Sequence, residues 1–218
     1  LARIQQEKAS PFTMALRLLP QYLYGQEHAY GVPFTGSGTE ASIEKMTVQV
    51  LQNFHQTWFK PNNATLVVVG DVKADEVYKL AKQHFGKIKP KAVPERKPQK
   101  EPPQIGERRV VVKAPAKLPS LQIGFHTPVL NDPNQDWEPY ALEILASVLS
   151  GNDSARLNQN LVRESQIAVD VGAGYDMIAR GRQGLFELAG SPSEGKTVAE
   201  LEAAILQQIE KVKESGVT

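Results

Sequence analysis

"IAVDVGAGYDM", residues 167–177, and "GRQGLFELAGSP", residues 181–192, decide the fold. Both alternate apolar with polar or small residues, the period of a strand with one buried face, and together they read as an antiparallel pair. Upstream, "RRVVVKA" (108–114) and "SLQIGFHTP" (120–128) read as two further strands. Two helical patterns lie between these pairs. "WEPYALEILASVLSG" (137–151) carries Tyr140, Ile144, Leu145 and Val148 on its expected buried side, and "DSARLNQNLVRES" (153–165) follows at once. "TVAELEAAILQQIEKVKESG" (197–216) closes the chain as an amphipathic helix with Thr197 at its cap and Gly216 at its end. The order strand, strand, helix, helix, strand, strand, helix predicts an α+β layer, an antiparallel sheet packed by helices on one face, and not a doubly wound nucleotide fold.

Before residue 108 the chain changes character. "KIKPKAVPERKPQKEPPQ", residues 87–104, holds five prolines among its charges and can neither supply a regular ladder nor bury much surface, so it reads as a linker. It is basic, but glutamates interrupt it and no aromatics are interleaved for base stacking, which favours a solvated connector over a nucleic-acid contact. N-terminal to it, residues 12–24 have helical spacing, with Pro11 at the entry and Gly25 at the exit, and Pro20 is expected to kink the helix or end it early. Thr47 caps a predicted helix through Phe59, with Val50, Leu51, Phe54 and Trp58 on one face. "ATLVVVGDV" (64–72) reads as a strand buried on both faces, and residues 75–85 as a helix with Val77, Leu80, Ala81 and Phe85 inward and Gly86 as its stop.

Composition narrows the function. With 25 Lys and Arg against 24 Asp and Glu over 218 residues, the net field gives no reason to expect nucleic acid or a polybasic membrane anchor. The absence of cysteine removes disulfides, thiolate metal sites and cysteine nucleophiles together. No apolar run approaches the roughly 18 residues of a membrane span. The chain opens on Leu1, so a trimmed N-terminus, with any export signal lost, is expected. "LYGQEHAYG" (23–31) contains the second half of an H-x-x-E-H zinc helix in Glu27 and His28, but Tyr24 stands where the first histidine belongs. "GVPFTGSGTEAS" (31–42) lacks the phosphate-loop pattern, and no G-x-S-x-G is present to nominate a nucleophilic serine. His55 and His84 read as packing or cap residues, and His126 closes a strand with no second imidazole at ligand spacing.

The succession "LYGQEHAYGVPFTGSG", "FHQTWFKPNNATLVVVGDV", "FGKI" and "SARLNQNLVRE" closely resembles the pitrilysin/insulinase family of zinc metallopeptidases, which includes mitochondrial processing peptidase. The similarity covers nearly the whole chain. It implies paired α+β lobes enclosing a chamber for extended peptides: residues 1–86 as the C-terminal part of a first lobe, 87–106 as the linker and 107–218 as most of a second lobe. The family's active lobe carries H-x-x-E-H, with a third glutamate ligand on a later helix. No H-x-x-E-H occurs here, the third-ligand position falls near Arg3, and Glu7, one turn further, reads as a surface charge. The resemblance therefore implies no catalytic or metal-binding residue in this chain, with zinc expected in a catalytic lobe elsewhere in the protein or in a homologous subunit. It also implies a substrate-holding arginine followed seven positions later by a tyrosine. Arg163 matches the arginine, but Asp170 occupies the tyrosine position, leaving Tyr175 as a substitute; equally, Arg163 reads as a helix C-terminal cap paired with a carboxylate. A scaffold homologue without proteolysis and a free-standing peptide-binding module remain the alternative readings, and the resemblance suggests a bacterial envelope location.

Overall fold

A computed structural model describes residues 2–25, 39–95, 103–113, 116–178 and 184–217. Chain contacts divide it into two compact units, one within Gly38–Lys100 and the other within Ala2–Ser37 and Glu101–Thr218. The fragmentary zinc motif at Glu27 and His28 lies outside the described residues.

In the larger unit, β1 (Leu121–Thr127), β2 (Ala168–Tyr175) and β3 (Gly184–Pro192) form an antiparallel sheet in the order β1-β3-β2. Leu121, Ile123 and Phe125 lie in register with Gly190, Leu188 and Phe186, so odd positions of β1 and even positions of β3 share a face. That face carries the core. Three helical elements supply its other side: α6 (Glu138–Ser150), a π-helix (Asn158–Glu164) and α7 (Val198–Ser215). Leu149, Leu157, Leu161, Leu201 and Ile205 interdigitate there with Phe186 and Leu188. α7 is pinned at its start by a reciprocal capping box, in which Thr197 Oγ1 accepts from Glu200 N and the Glu200 carboxylate accepts from Thr197 N.

Two readings of this unit need correction, and a third gains detail. The buried stripe of α6 is Pro139, Ala146 and Leu149, flanked by the half-buried Leu142 and Leu145, whereas Tyr140 and Ile144 are exposed. α6 is apolar around most of its circumference, so periodicity alone cannot choose its phase. The helix read in "DSARLNQNLVRES" is present, and over seven residues it is wound as a π-helix, closed by Ser165 N donating to Asn160 O. Residues 108–113 make no strand ladder in this structure, because a groove separates them from the free edge of β1.

Two N-terminal helices belong to the same unit, α1 (Ala2–Lys8) and α2 (Pro11–Tyr24). Ser10 caps α2 by accepting from Thr13 N. Pro20 does not end α2, which continues through a further turn to Tyr24. The ring removes the hydrogen bond to the carbonyl four residues back, but Pro20, Leu23 and Tyr24 are all buried, and this burial offsets the loss. Leu23 and Leu19 lie over Gly124, on the face of β1 opposite the core; a Cβ built on Gly124 would come within 3.1 Å of Leu23 Cδ1.

The smaller unit contains α3 (Glu40–Glu44), α4 (Val48–Trp58), a 3-10 turn (Pro61–Asn63) and α5 (Ala74–Phe85). Thr47 caps α4 as expected, accepting from Val50 N. The two-faced strand expected over residues 64–72 makes no ladder, and Val67 and Val69 are 76% and 92% exposed. Leu51, Phe54, Leu80 and Phe85 are more than half exposed as well. None of the described residues of this unit is buried, because no second strand stands among them to pair with the first or to receive the apolar faces of α4 and α5. The connector is tethered at its start, where Asn62 donates through Nδ2 to Lys91 O and accepts from Lys91 N.

Candidate functional site

Arg163 stands in the last turn of the π-helix with its side chain in solvent. The widened helix presents it this way: Leu157 and Leu161 point into the core, Asn160 Nδ2 donates to Gln208 Oε1 across to α7, and Ser165 Oγ donates to Asn160 O. π-turns of this kind recur at functional positions. The paired-carboxylate reading of Arg163 does not hold among the described residues. Its neighbour Glu164 accepts from Gln159 Nε2, and Arg163 itself has no hydrogen bond or ion pair there.

Asp170 and Tyr175 lie on opposite faces of β2. A register shift between Ala168 and Asp170 falls before Asp170, so the five residues from Asp170 to Tyr175 alternate regularly. Tyr175 stacks on Phe186 at the edge of the core, ring centroids 6.3 Å apart, and its hydroxyl donates to Pro128 O. Burial, reinforced by Glu143 and Asp176, raises its phenol above the ordinary range. The side chain is engaged with the helix-covered face and the turn after β1. Asp170 sits on the other face with Gly172 and Gly174.

That second face holds a group that sequence reasoning missed. Glu187 is in register with both Gly124 and Gly174, residues without side chains; it stands exposed on that face, and partial desolvation raises its carboxyl above the ordinary carboxylate range. In sequence it looks like any outward acid in the polar phase of "GLFELAG", and the structure does place it outward; what sequence does not show is that glycines stand across from it on both neighbouring strands. Elsewhere on β1 the side-chain nitrogens of His126 and the amide of Gln122 are buried without hydrogen-bond partners among the described residues, and the His126 ring meets Tyr24 edge to face at 5.4 Å.

Among the described residues the donors present do not fit a zinc ion. At the position corresponding to the third ligand, Arg3 donates through Nε to Glu7 Oε1 at 3.1 Å. Glu7 is buried, at 9% exposure, and is not the surface charge expected; α1 folds it inward beside Ile4 and neutralises it with the arginine one turn back. A cation at that position opposes a divalent metal. His55 stacks on Phe59 in α4, His84 lies in α5 and His126 in β1, and among the described residues no three His, Asp or Glu side chains come together.

Residues 45–218 match the family model described as the Peptidase M16 inactive domain. The zinc protease PqqE of Helicobacter pylori is 29% identical over 201 residues, which is 90% of this chain and 43% of that protein. The zinc protease Rv2782c of Mycobacterium tuberculosis is 30% identical over 165 residues, 72% of this chain and 35% of that protein. Among solved structures, a protease from H. pylori superposes with a TM-score of 0.75 at 24% identity, covering 94% of this chain and 52% of that one. An M16-like peptidase from Alicyclobacillus acidocaldarius gives 0.72 at 22%, covering all of this chain and 50% of that one, and pitrilysin gives 0.61 at 16%, covering all of this chain and 23% of that one. The chain thus spans about half or less of the length of these relatives. It belongs to the M16 family of zinc metallopeptidases, the pitrilysin/insulinase family, and within it to the inactive domain.

Proposed function

We propose that the chain is a non-catalytic part of an M16 zinc metalloendopeptidase, forming a wall of the chamber that encloses an extended or unfolded peptide while the metal is held by a catalytic lobe of the same protein or by a homologous subunit. The observation that carries this is the Arg3–Glu7 pair, which occupies the ligand position with a cation and takes up the nearest carboxylate. A wall needs no reacting group: positioning a peptide against a distant nucleophile is itself a large share of catalysis. Residues 1–86 are read as the end of a first lobe, 87–106 as the linker and 107–218 as most of a second. The exposed run Leu66, Val67, Val68 and Val69 supports the first of these, since a strand apolar on both faces suits the middle of a sheet.

The test is zinc content and endopeptidase activity of this chain alone and of the complete protein. We expect negligible zinc and no cleavage from the chain, and bound zinc with cleavage from the complete protein or its assembled pair. Stoichiometric zinc in the chain overturns the reading; a complete assembly with neither zinc nor cleavage favours the scaffold alternative.

Within the chamber, Arg163 is the proposed contact to the peptide main chain, and Tyr175 fixes the turn at Pro128 without touching the substrate. In the complete enzyme, Arg163→Ala is expected to raise KM by about tenfold with kcat little changed, the signature of lost uniform binding through one charged hydrogen bond. Steady-state kinetics on an extended peptide that leave both constants unchanged would remove Arg163 from the site.

A further inference from the structure

Among the described residues β2 pairs with β3 alone, so its other edge faces outward. Beyond the register shift between Ala168 and Asp170, residues 171–175 read "VGAGY", with no charge and no proline to discourage an incoming strand. Gly172 and Gly174 add no side chain on the outer face, and a Cβ built on Gly174 would meet nothing within 4 Å. Such a stretch is a template for main-chain pairing with an extended polypeptide.

One side chain sits in the middle of it. Ser150 Oγ donates to Ala173 O and accepts from Ala173 N, both at 2.8 Å. In an antiparallel ladder a residue sends its N–H and C=O together, either to its partner or away from it. Both groups of Ala173 go to the serine, so by alternation Val171 and Tyr175 point outward with it, while Gly172 and Gly174 bond to β3. Among the described residues the outward main-chain groups of Val171 and Tyr175 have no partner. Ser150 thus fills the central of the three outward positions at 171, 173 and 175. It is the last residue of α6, and its neighbour Leu149, fully buried in the core, holds the hydroxyl in place.

We propose that the Ser150 hydroxyl is a lock on the β2 edge that keeps extended polypeptide from pairing with it. An incoming strand must bond Val171, Ala173 and Tyr175 in turn. It reaches Ala173 only by expelling the serine, which gives up two hydrogen bonds for the two it makes. Main-chain pairing takes most sequences alike, so an open edge on a peptide-enclosing wall would retain product as firmly as substrate. The lock leaves the peptide to point contacts such as Arg163; this consequence rests on the chamber reading, whereas the lock itself does not.

The probe is a short fluorescein-labelled peptide of alternating threonine and valine, titrated with the full chain and read by anisotropy. The native chain is expected to bind it weakly and Ser150→Ala at least about tenfold more tightly, since the strand then gains two main-chain hydrogen bonds without displacing a partner. The same peptide with proline at alternate positions, which cannot complete a ladder, is expected to gain nothing. Equal affinity of native chain and variant for the first peptide, or an equal gain for both peptides, overturns the proposal. Hydrogen exchange reads the lock without a ligand. In Ser150→Ala the Ala173 amide is expected to exchange at least about tenfold faster, with the Gly172 and Gly174 amides unchanged. Loss of protection at all three would make Ser150 a brace for the whole strand and overturn the lock. Neither readout involves cleavage, so a negative result here leaves the chamber reading to its own zinc and activity test.

Discussion

Replacing Leu201 by alanine is expected to destabilise the larger unit by about 2–5 kcal/mol, the range for a leucine lost from a core that cannot collapse around the cavity. Leu201 is fully buried in the first turns of α7, in the cluster with Leu149, Leu157, Leu188 and Ile205, each of them 0–1% exposed. Its neighbours come from four elements, α6, the π-helix, β3 and α7 itself, so no single backbone shift can fill the space. For a domain of this size the loss corresponds to a fall in Tm of roughly 5–15 °C, read by thermal unfolding of the full chain. Ile144→Ala, on the solvent side of α6 at 61% exposure, is the matched comparison and is expected to cost well under about 1 kcal/mol. Equal shifts for the two variants would mean that the core does not lie between α7 and the sheet.

Gly190→Ala is expected to be the most damaging addition of a single methyl group to the sheet. Gly190 pairs with Leu121 on one side and Val171 on the other, on the buried face next to the register shift in β2. The shift brings the β2 main chain close: a Cβ on Gly190 would lie 2.8 Å from Asp170 O and 3.3 Å from Val171 Cα. Those atoms are backbone, so relief requires moving a strand and not turning a side chain. The expected cost is about 1–3 kcal/mol, typical of overpacking, measured by chemical or thermal unfolding. Gly174→Ala is the counterpart, since its Cβ would meet nothing within 4 Å; it is expected to be neutral or slightly stabilising through loss of chain entropy in the unfolded state. If the two substitutions behave alike, β2 and β3 are not in the register described.

The elements of the larger unit that carry their own punctuation were legible from sequence. α7 has Thr197 and Glu200 at one end and Gly216 at the other, and β3 alternates cleanly along its whole length, while β2 keeps the alternation only beyond its register shift. α6 was legible as a helix but not in phase, because apolar residues surround it and only the packed sheet selects Leu149 over Ile144. Local pattern also misjudged residues 64–72, where a strand needs a partner as well as propensity, and Pro20, where burial outweighs a lost hydrogen bond. At the candidate site, Arg163 could be found through resemblance, but its setting could not. Nothing in "LNQNLVRES" announces a widened helix, and Glu187 is marked only by glycines on two other strands. Glu7 was hidden for a related reason: a carboxylate one turn from an arginine looks solvent-facing until the helix that bears it is rolled against Ile4's neighbours.

The π-helix makes the bearing of Arg163 a matter of counting. Each residue of an ordinary helix advances the side-chain direction by about 100°, and a π-turn accommodates one residue more per hydrogen-bonded loop than an α-turn. With Leu157 and Leu161 clamped inside, the surplus residue is taken up before Arg163 and sets the compass heading at which the guanidinium leaves the surface. Losing a single position between Asn158 and Glu164 would wind the segment tighter and send the same arginine off in another direction, so the aim of this side chain is encoded in chain length and not in the chemistry of its neighbours.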